Sequence, residues 1–190
     1  MKKDLEEKKQ RASMIQKAFR KSSKHKKESS TDDDGNNSLL YAVKSANKDF
    51  LSRLILKGWD LKVANARGQN LLHVASSSEH SGSHHCVQLI LESLTDDESW
   101  DMVSTVDEDG KTPLHYAAGR GKKELILLLL NKGAGMEVYD NEGKTPLHCS
   151  VFNERMKGSQ CLLDAGFPVD CVDGERQTAM HEAASKGNWR

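Results

Sequence analysis

The sequence predicts an all-α solenoid of stacked repeats, and three observations carry that prediction. Thr112-Pro113-Leu114-His115 returns 33 residues later as Thr145-Pro146-Leu147-His148, and 33 residues after that, weakened, as Thr178-Ala179-Met180-His181. A fixed period of this length marks units that bury their faces against their neighbours. The period also runs backwards, through Gly68-Gln69-Asn70-Leu71-Leu72-His73 to Gly35-Asn36-Asn37-Ser38-Leu39-Leu40, so that five units can be counted. Finally, 36% hydrophobic and 5% aromatic content is lean for a compact globule but sufficient for an array in which each unit packs only on the next.

The best copy reads Asp109-Gly110-Lys111-Thr112-Pro113-Leu114-His115-Tyr116-Ala117-Ala118-Gly119-Arg120-Gly121, continues through the apolar run 125–130, and closes on Asn131-Lys132-Gly133-Ala134. Its signature and length resemble those of ankyrin repeats. The resemblance covers about residues 34–190 and implies helix-turn-helix units with β-turn tips, at about 34–66, 67–108, 109–141, 142–174 and an incomplete 175–190.

Ahead of the array, the stretch from Lys8 to Lys27 holds nine Lys/Arg and no acid, with Ala12, Ile15, Ala18 and Phe19 at helical spacing. This predicts a basic amphipathic helix within an N-terminal region of residues 1–33. A flexible linker is expected over 22–35, where no apolar residue is available for packing.

In the first unit an inner helix is expected over 38–44 and an outer helix over 48–56, ended by Gly58. Leu40 stands there in place of histidine, as suits a capping unit. The second unit is longer, because His73 and His115 are 42 residues apart rather than 33. Its inner helix is placed near 71–77 and its outer helix near 86–93. About three extra residues fall in the turn between them and about six in a solvent-facing stretch around Thr95 to Met102, from which Trp100 and Met102 fold back. Asp96, Asp97 and Glu98 read as a solvated loop.

The third unit is the most regular, with Leu125, Ile126, Leu128, Leu129 and Leu130 predicting an outer helix buried on nearly every side. The fourth carries Gly158 inside its outer helix, where glycine costs roughly 1 kcal/mol against alanine, so this helix is expected to be the least secure. The fifth unit stops at Arg190 before an outer helix is encoded, and the expectation is a piece of a longer protein.

Formal net charge is zero, yet residues 1–27 hold eleven basic and three acidic side chains, a balance of +8, leaving seventeen basic and twenty-five acidic, or −8, on the remainder. No run of 18 apolar residues occurs, so no transmembrane segment is expected, and the charged start lacks the apolar stretch of a signal peptide. A cytoplasmic protein is expected, with the nucleus also open to it through the basic cluster Lys24-His25-Lys26-Lys27. Cys86, Cys149, Cys161 and Cys171 form no CxxC pair and read as free thiols.

In the ankyrin pattern Thr112 caps the inner helix, Pro113 occupies its first position, Leu114 enters the stack and His115 bonds to neighbouring backbone, with the same roles at Thr145, Pro146, Leu147 and His148. His73, His115, His148 and His181 fall in successive layers, which argues for structure rather than metal. The local group His80, His84, His85 and Cys86 lacks a second Cys/His pair, so no metal site and no cofactor are expected. No phosphate loop, GxSxG or HExxH occurs, and no enzymatic activity is expected.

The resemblance implies a partner held by the turn tips and the exposed side of the inner helices. The matching positions are Asp109, Lys111, Asn141, Glu142 and Lys144 at the tips, with Tyr116, Arg120, Phe152, Asn153 and Glu182 on the helices. Tyr116 and Phe152 are the expected anchors, because aromatics supply hot-spot area. The acidic tips, which also include Asp107, Asp140 and Asp173, point to a basic or mixed peptide and away from nucleic acid. At the N-terminus, Ile15-Gln16-Lys17-Ala18-Phe19-Arg20 resembles the opening of an IQ motif, which implies calmodulin binding through Ile15, Gln16, Phe19 and Arg20. Lys21 replaces the usual glycine of that motif, and an import patch, an anionic-membrane helix and a solvated helix are alternative readings. The expectation is a monomeric, non-enzymatic scaffold or adaptor. Alternatives are the regulatory segment of a larger enzyme or channel and an inhibitor of a transcription factor.

Overall fold

The computed structural model describes residues 31–187. The expected basic helix, and with it the residues Ile15, Gln16, Phe19 and Arg20 expected to bind calmodulin, lies outside the described residues, as does the chain end at Arg190. The first four units contribute helix pairs α1 (Ser38–Lys44) and α2 (Lys48–Leu56), α3 (Leu71–Ser77) and α4 (Ser83–Ser93), α6 (Pro113–Gly119) and α7 (Lys123–Asn131), and α8 (Pro146–Phe152) and α9 (Met156–Asp164). An extra helix, α5 (Asp96–Ser104), follows α4, and α10 (Ala179–Ser185) is the inner helix of the fifth unit.

The inner helices α1, α3, α6, α8 and α10 stack in sequence, and the outer helices α2, α4, α7 and α9 stack behind them. Each inner helix is only seven residues long, too short to persist alone, so tertiary packing must stabilise it. Asn37, Asn70, Thr145 and Thr178 cap it with a side-chain acceptor, and Pro113 and Pro146 take the first helical positions, where no amide donor is needed. Leu39, Leu72, Leu114, Leu125, Ile126 and Leu162 are almost fully buried between layers, each worth roughly 1.5–3 kcal/mol in burial.

The expected solvent-facing stretch at 95–102 is a helix. Thr95 and Glu98 form a capping box, each side chain accepting from the other's backbone N–H, and Ser99, Met102 and Val103 are buried. Asp96, Asp97 and Glu98 fall in its first turn, where negative charge suits the helix dipole. Two exposed ion pairs tie α5 to both sides, Glu98 to Lys62 at 3.2 Å and Asp96 to Lys132 at 3.1 Å. Met102 folds back as expected, its carbonyl accepting from Asn70 Nδ2 at 2.9 Å, whereas Trp100 stays largely exposed against the turn at Gly133.

Three further expectations change. Of the apolar run in α7, Leu125, Ile126 and Leu129 are buried, Leu128 and Leu130 are half-buried, and Leu127 is exposed. Gly158 is required by close packing: a Cβ there would lie 2.9 Å from the Ala118 carbonyl oxygen and 3.0 Å from Gly121 Cα. The end of the expected linker is a turn, in which Gly35 N–H donates to the Asp32 carbonyl at 2.9 Å and Ala66 N–H to that of Asp34 at 2.9 Å.

Candidate functional site

Each tip is built on an Asx turn followed by a residue in the left-handed region. One Asp107 carboxylate oxygen accepts the N–H groups of Asp109 and Lys111 at 3.1 and 3.0 Å, and Asp140 does the same for Glu142 and Lys144 at 3.0 and 2.8 Å. The fourth position is glycine in units one to four, with φ of 73–75°, but in unit five it is Arg176 at φ 62°. Successive tips are joined through backbone, Glu108 N–H donating to Arg67 O at 3.1 Å, Asn141 to Asp109 at 3.0 Å and Gly174 to Glu142 at 3.0 Å.

The second carboxylate oxygen distinguishes the layers. Asp107 Oδ2 accepts the Tyr116 hydroxyl at 2.7 Å and the Gln69 amide at 3.2 Å. Burial pushes the Asp107 carboxyl up, but these bonds and the Lys111 N–H leave it below its ordinary value, while burial and Asp107 push Tyr116 up. In the next layer Cys149 stands where Tyr116 does, and the buried Asp140 Oδ2 has no hydrogen bond, only the Lys111 ammonium at 3.7 Å. Burial, with Asp140 adding, pushes the Cys149 thiol up to about 12, so it is neutral.

Between α6 and α8 this arrangement opens a cavity of about 410 Å³. Seven of the ten groove residues expected from sequence line it: Lys111, Tyr116, Arg120, Glu142, Lys144, Phe152 and Asn153. His115, Gly119, Asp140, Cys149 and Arg155 line it as well. These five follow from folding rather than from the motif, although the nine-residue spacing of Asp107 to Tyr116 against Asp140 to Cys149 was available in the chain.

Phe152 is 46% exposed and has two ammonium groups over its ring, Lys186 Nζ at 3.6 Å and Lys144 Nζ at 4.5 Å from its centroid, a cation–π arrangement that helps hold the ring in place. The Tyr116 hydroxyl is engaged inside the array, donating to Asp107 and accepting from Gln69 at 3.0 Å. Arg120 pairs with Glu79 at 3.3 Å, and Asn153 Nδ2 donates to the Cys149 carbonyl at 2.8 Å.

The other three expected residues lie outside the cavity. Asp109 makes an exposed pair with Arg67 at 3.8 Å, and Asn141 Nδ2 donates to Glu108 O at 2.8 Å, so its amide is part of the tip ladder. Glu182 is buried, with Oε2 lacking a hydrogen bond, and burial pushes its carboxyl up despite Lys144 nearby. The expected acidity of this surface is not met in the cavity. Asp140 uses one oxygen to close its turn, and four cationic side chains, Lys111, Arg120, Lys144 and Arg155, face Asp140 and Glu142.

Among the described residues no group of three His, Cys, Asp or Glu side chains converges as a metal site. His84 Nδ1 lies 2.9 Å from the Ser81 carbonyl, and the neighbouring Cys86 is buried in the core. No described helix is long and apolar enough to cross a membrane.

A family model described as ankyrin repeats (3 copies) matches residues 8–101 and again 81–173. Over 93 residues the sequence is 31% identical to ankyrin repeat and SOCS box protein 3 of Bos taurus, an alignment covering 49% of this chain and 17% of that protein. The chain therefore spans less than two thirds of that relative's length.

Proposed function

The chain belongs to the ankyrin-repeat family, and from that premise we propose that it is a non-enzymatic interaction module holding a partner protein in the groove between α6 and α8. The observation that supports this reading is the 410 Å³ cavity lined by seven sequence-expected residues, with the exposed Phe152 ring contacted by two lysine ammonium groups. A cleft of this size lies within the range of natural binding sites. Its four cations against two carboxylates favour a segment carrying acidic residues around an aromatic or apolar side chain.

Partner capture by the full chain tests the reading. Phe152→Ala combined with Lys144→Ala should lose most of a partner that the outer-face variant Lys157→Ala retains. Unchanged capture by the double variant would remove the groove from consideration. A separable proposal rests on the residue pattern Ile15, Gln16, Phe19 and Arg20: the N-terminal segment makes the module calmodulin-sensitive. Titration of the full chain with calmodulin, with and without calcium, tests it. Binding that Ile15→Glu leaves unchanged would count against it.

A further inference from the structure

Three outer helices share one register. α2, α7 and α9 are each nine residues long and are followed two residues later by Gly58, Gly133 and Gly166 in the left-handed region, so their faces can be compared position by position. The first, fourth and eighth positions of α9 are Met156, Ser159 and Leu163, which line an apolar groove with Ala179, Met180 and Ala183 of α10. These positions therefore face the following unit. The third position faces the preceding one: Gly158 lies close against Ala118 and Gly121 of the third unit, and Leu125 is 1% exposed. In the first unit the third position is Phe50, and it is 41% exposed. Among the described residues nothing covers the aromatic ring on the side where its counterparts are buried.

The segment ahead of the array carries the same register. Aligned with α2 and α7, residues 12–20 put Ala12, Ile15 and Phe19 at the first, fourth and eighth positions, where α2 has Leu51 and Ile55 and α7 has Ile126 and Leu130 at the last two. The stripe that would face a following unit is thus wholly apolar. Lys17, Arg20 and Lys21 fall at the sixth, ninth and tenth positions, off that stripe. Independently, the family-model match begins at residue 8, well ahead of the first unit. We propose that residues 12–20 of this chain stack on α2 as a further outer helix, burying Ile15 and Phe19 against Phe50 and Leu54.

The connection allows it. Phe19 precedes Gly35 by sixteen residues, whereas Ile55 precedes Gly68 and Leu130 precedes Gly143 by thirteen, so the chain has three residues more than complete units need. The register departs at Ser22, which stands where the three helices have glycine. Arg53 and Lys57 make α2 basic as well, so the contact is apolar rather than electrostatic and should survive added salt. Ile15 and Phe19 are also the residues through which the segment would meet calmodulin, and burial on α2 and capture by calmodulin exclude each other. The docking itself depends neither on that reading nor on the groove between α6 and α8.

Two measurements on the full chain test the proposal. In the first, a benzophenone amino acid replaces Phe50 in an equal mixture of isotope-labelled and unlabelled chains, and the crosslinked peptides are identified by mass. The expected product joins position 50 to residues 8–19 of the same chain. In the second, amide exchange is followed across α2. Ile15→Glu should speed it by about tenfold or more, as exposure of one buried aliphatic side chain requires, and the difference should persist as salt is raised. Ser13→Glu adds the same charge at the second position, where Asp49 and Glu124 are exposed, and should leave exchange unchanged.

Crosslinks that join two chains, or that reach no residue between 8 and 19, overturn the proposal. Exchange in Ile15→Glu equal to that of the unaltered chain does so too, as does equal acceleration by Ser13→Glu or a difference that disappears with salt.

Discussion

His115 Nε2 donates to the backbone carbonyl of Lys144, one unit further along, at 3.0 Å. Its Nδ1 accepts the Thr112 N–H at 3.0 Å, so the ring must be neutral with its proton on Nε2. His73 repeats the arrangement, with Nε2 2.9 Å from the Lys111 carbonyl and Nδ1 accepting from Asn70 at 3.2 Å. The two carbonyls belong to the residues whose side chains line the groove, so the histidine ladder sets the spacing of the proposed binding site.

Burial holds His73 and His115 below the ordinary histidine value, the carbonyl bonds to Lys111 and Lys144 opposing it. The unfolded chain then binds more protons than the folded one in the window below about pH 6.5. The stabilisation is complete above that pH and is lost as pH falls through the folded values. Glu182 acts in the opposite sense, since burial raises its carboxyl and its contribution is lost as pH rises. Urea midpoints of Glu182→Gln should therefore fall between about pH 7.5 and pH 5.5, and adding His115→Gln should flatten the dependence. A midpoint that rises on acidification would contradict the neutral-ring ladder.

Gly158→Ala should destabilise the array. Helix propensity alone favours alanine by roughly 1 kcal/mol, but the new methyl would lie 2.9 Å from Ala118 O and 3.0 Å from Gly121 Cα. Overpacking of this kind costs about 1–3 kcal/mol. Equilibrium urea denaturation measures the sign, and a more stable variant would show that α9 does not approach the third unit so closely.

Arg176 occupies the left-handed position that glycine holds at the other four tips, with φ 62°. Arg176→Gly should relieve backbone strain of about 1 kcal/mol, partly offset by the greater freedom of glycine in the unfolded chain. The gain is expected as slower amide exchange in residues 173–178, while the groove amides around Gly119 stay unchanged.

The insertion helix depends on its cap. Thr95→Ala removes the acceptor for the Glu98 N–H and should cost about 0.5–2 kcal/mol. Faster exchange across α5, with α6 and α8 protected as before, is the expected pattern. Uniform loss across the array would mean that α5 is integral to the stack rather than an addition to it.

The units were legible because the period itself is physical. His73, His115 and His148 each bond backbone of the next layer while Thr145 and Thr178 cap their own helices, so the spacing of these residues must recur, and the inner helices at 38–44 and 71–77 follow from it. Helix α5 was also written in the chain, as Thr95-Asp96-Asp97-Glu98, a capping box that the strong charge of the segment obscured. Gly158 was not legible, because its need arises from Ala118 and Gly121, some forty residues earlier and contiguous only in the stack. The acidity of the tips is plain in the sequence, but that Lys111, Arg120, Lys144 and Arg155 gather beside Asp140 and Glu142 is not, because these residues come from two units and meet only in the stack.

The central claim is that partners are held between α6 and α8, and site-specific photocrosslinking tests it most directly. A benzophenone amino acid is placed at position 152 in the groove or at position 160 on the exposed outer face, in full-length chains of equal unfolding midpoint. The account predicts that the same partner crosslinks strongly from position 152 and weakly or not at all from position 160. Crosslinking from position 160 with none from position 152 would contradict it.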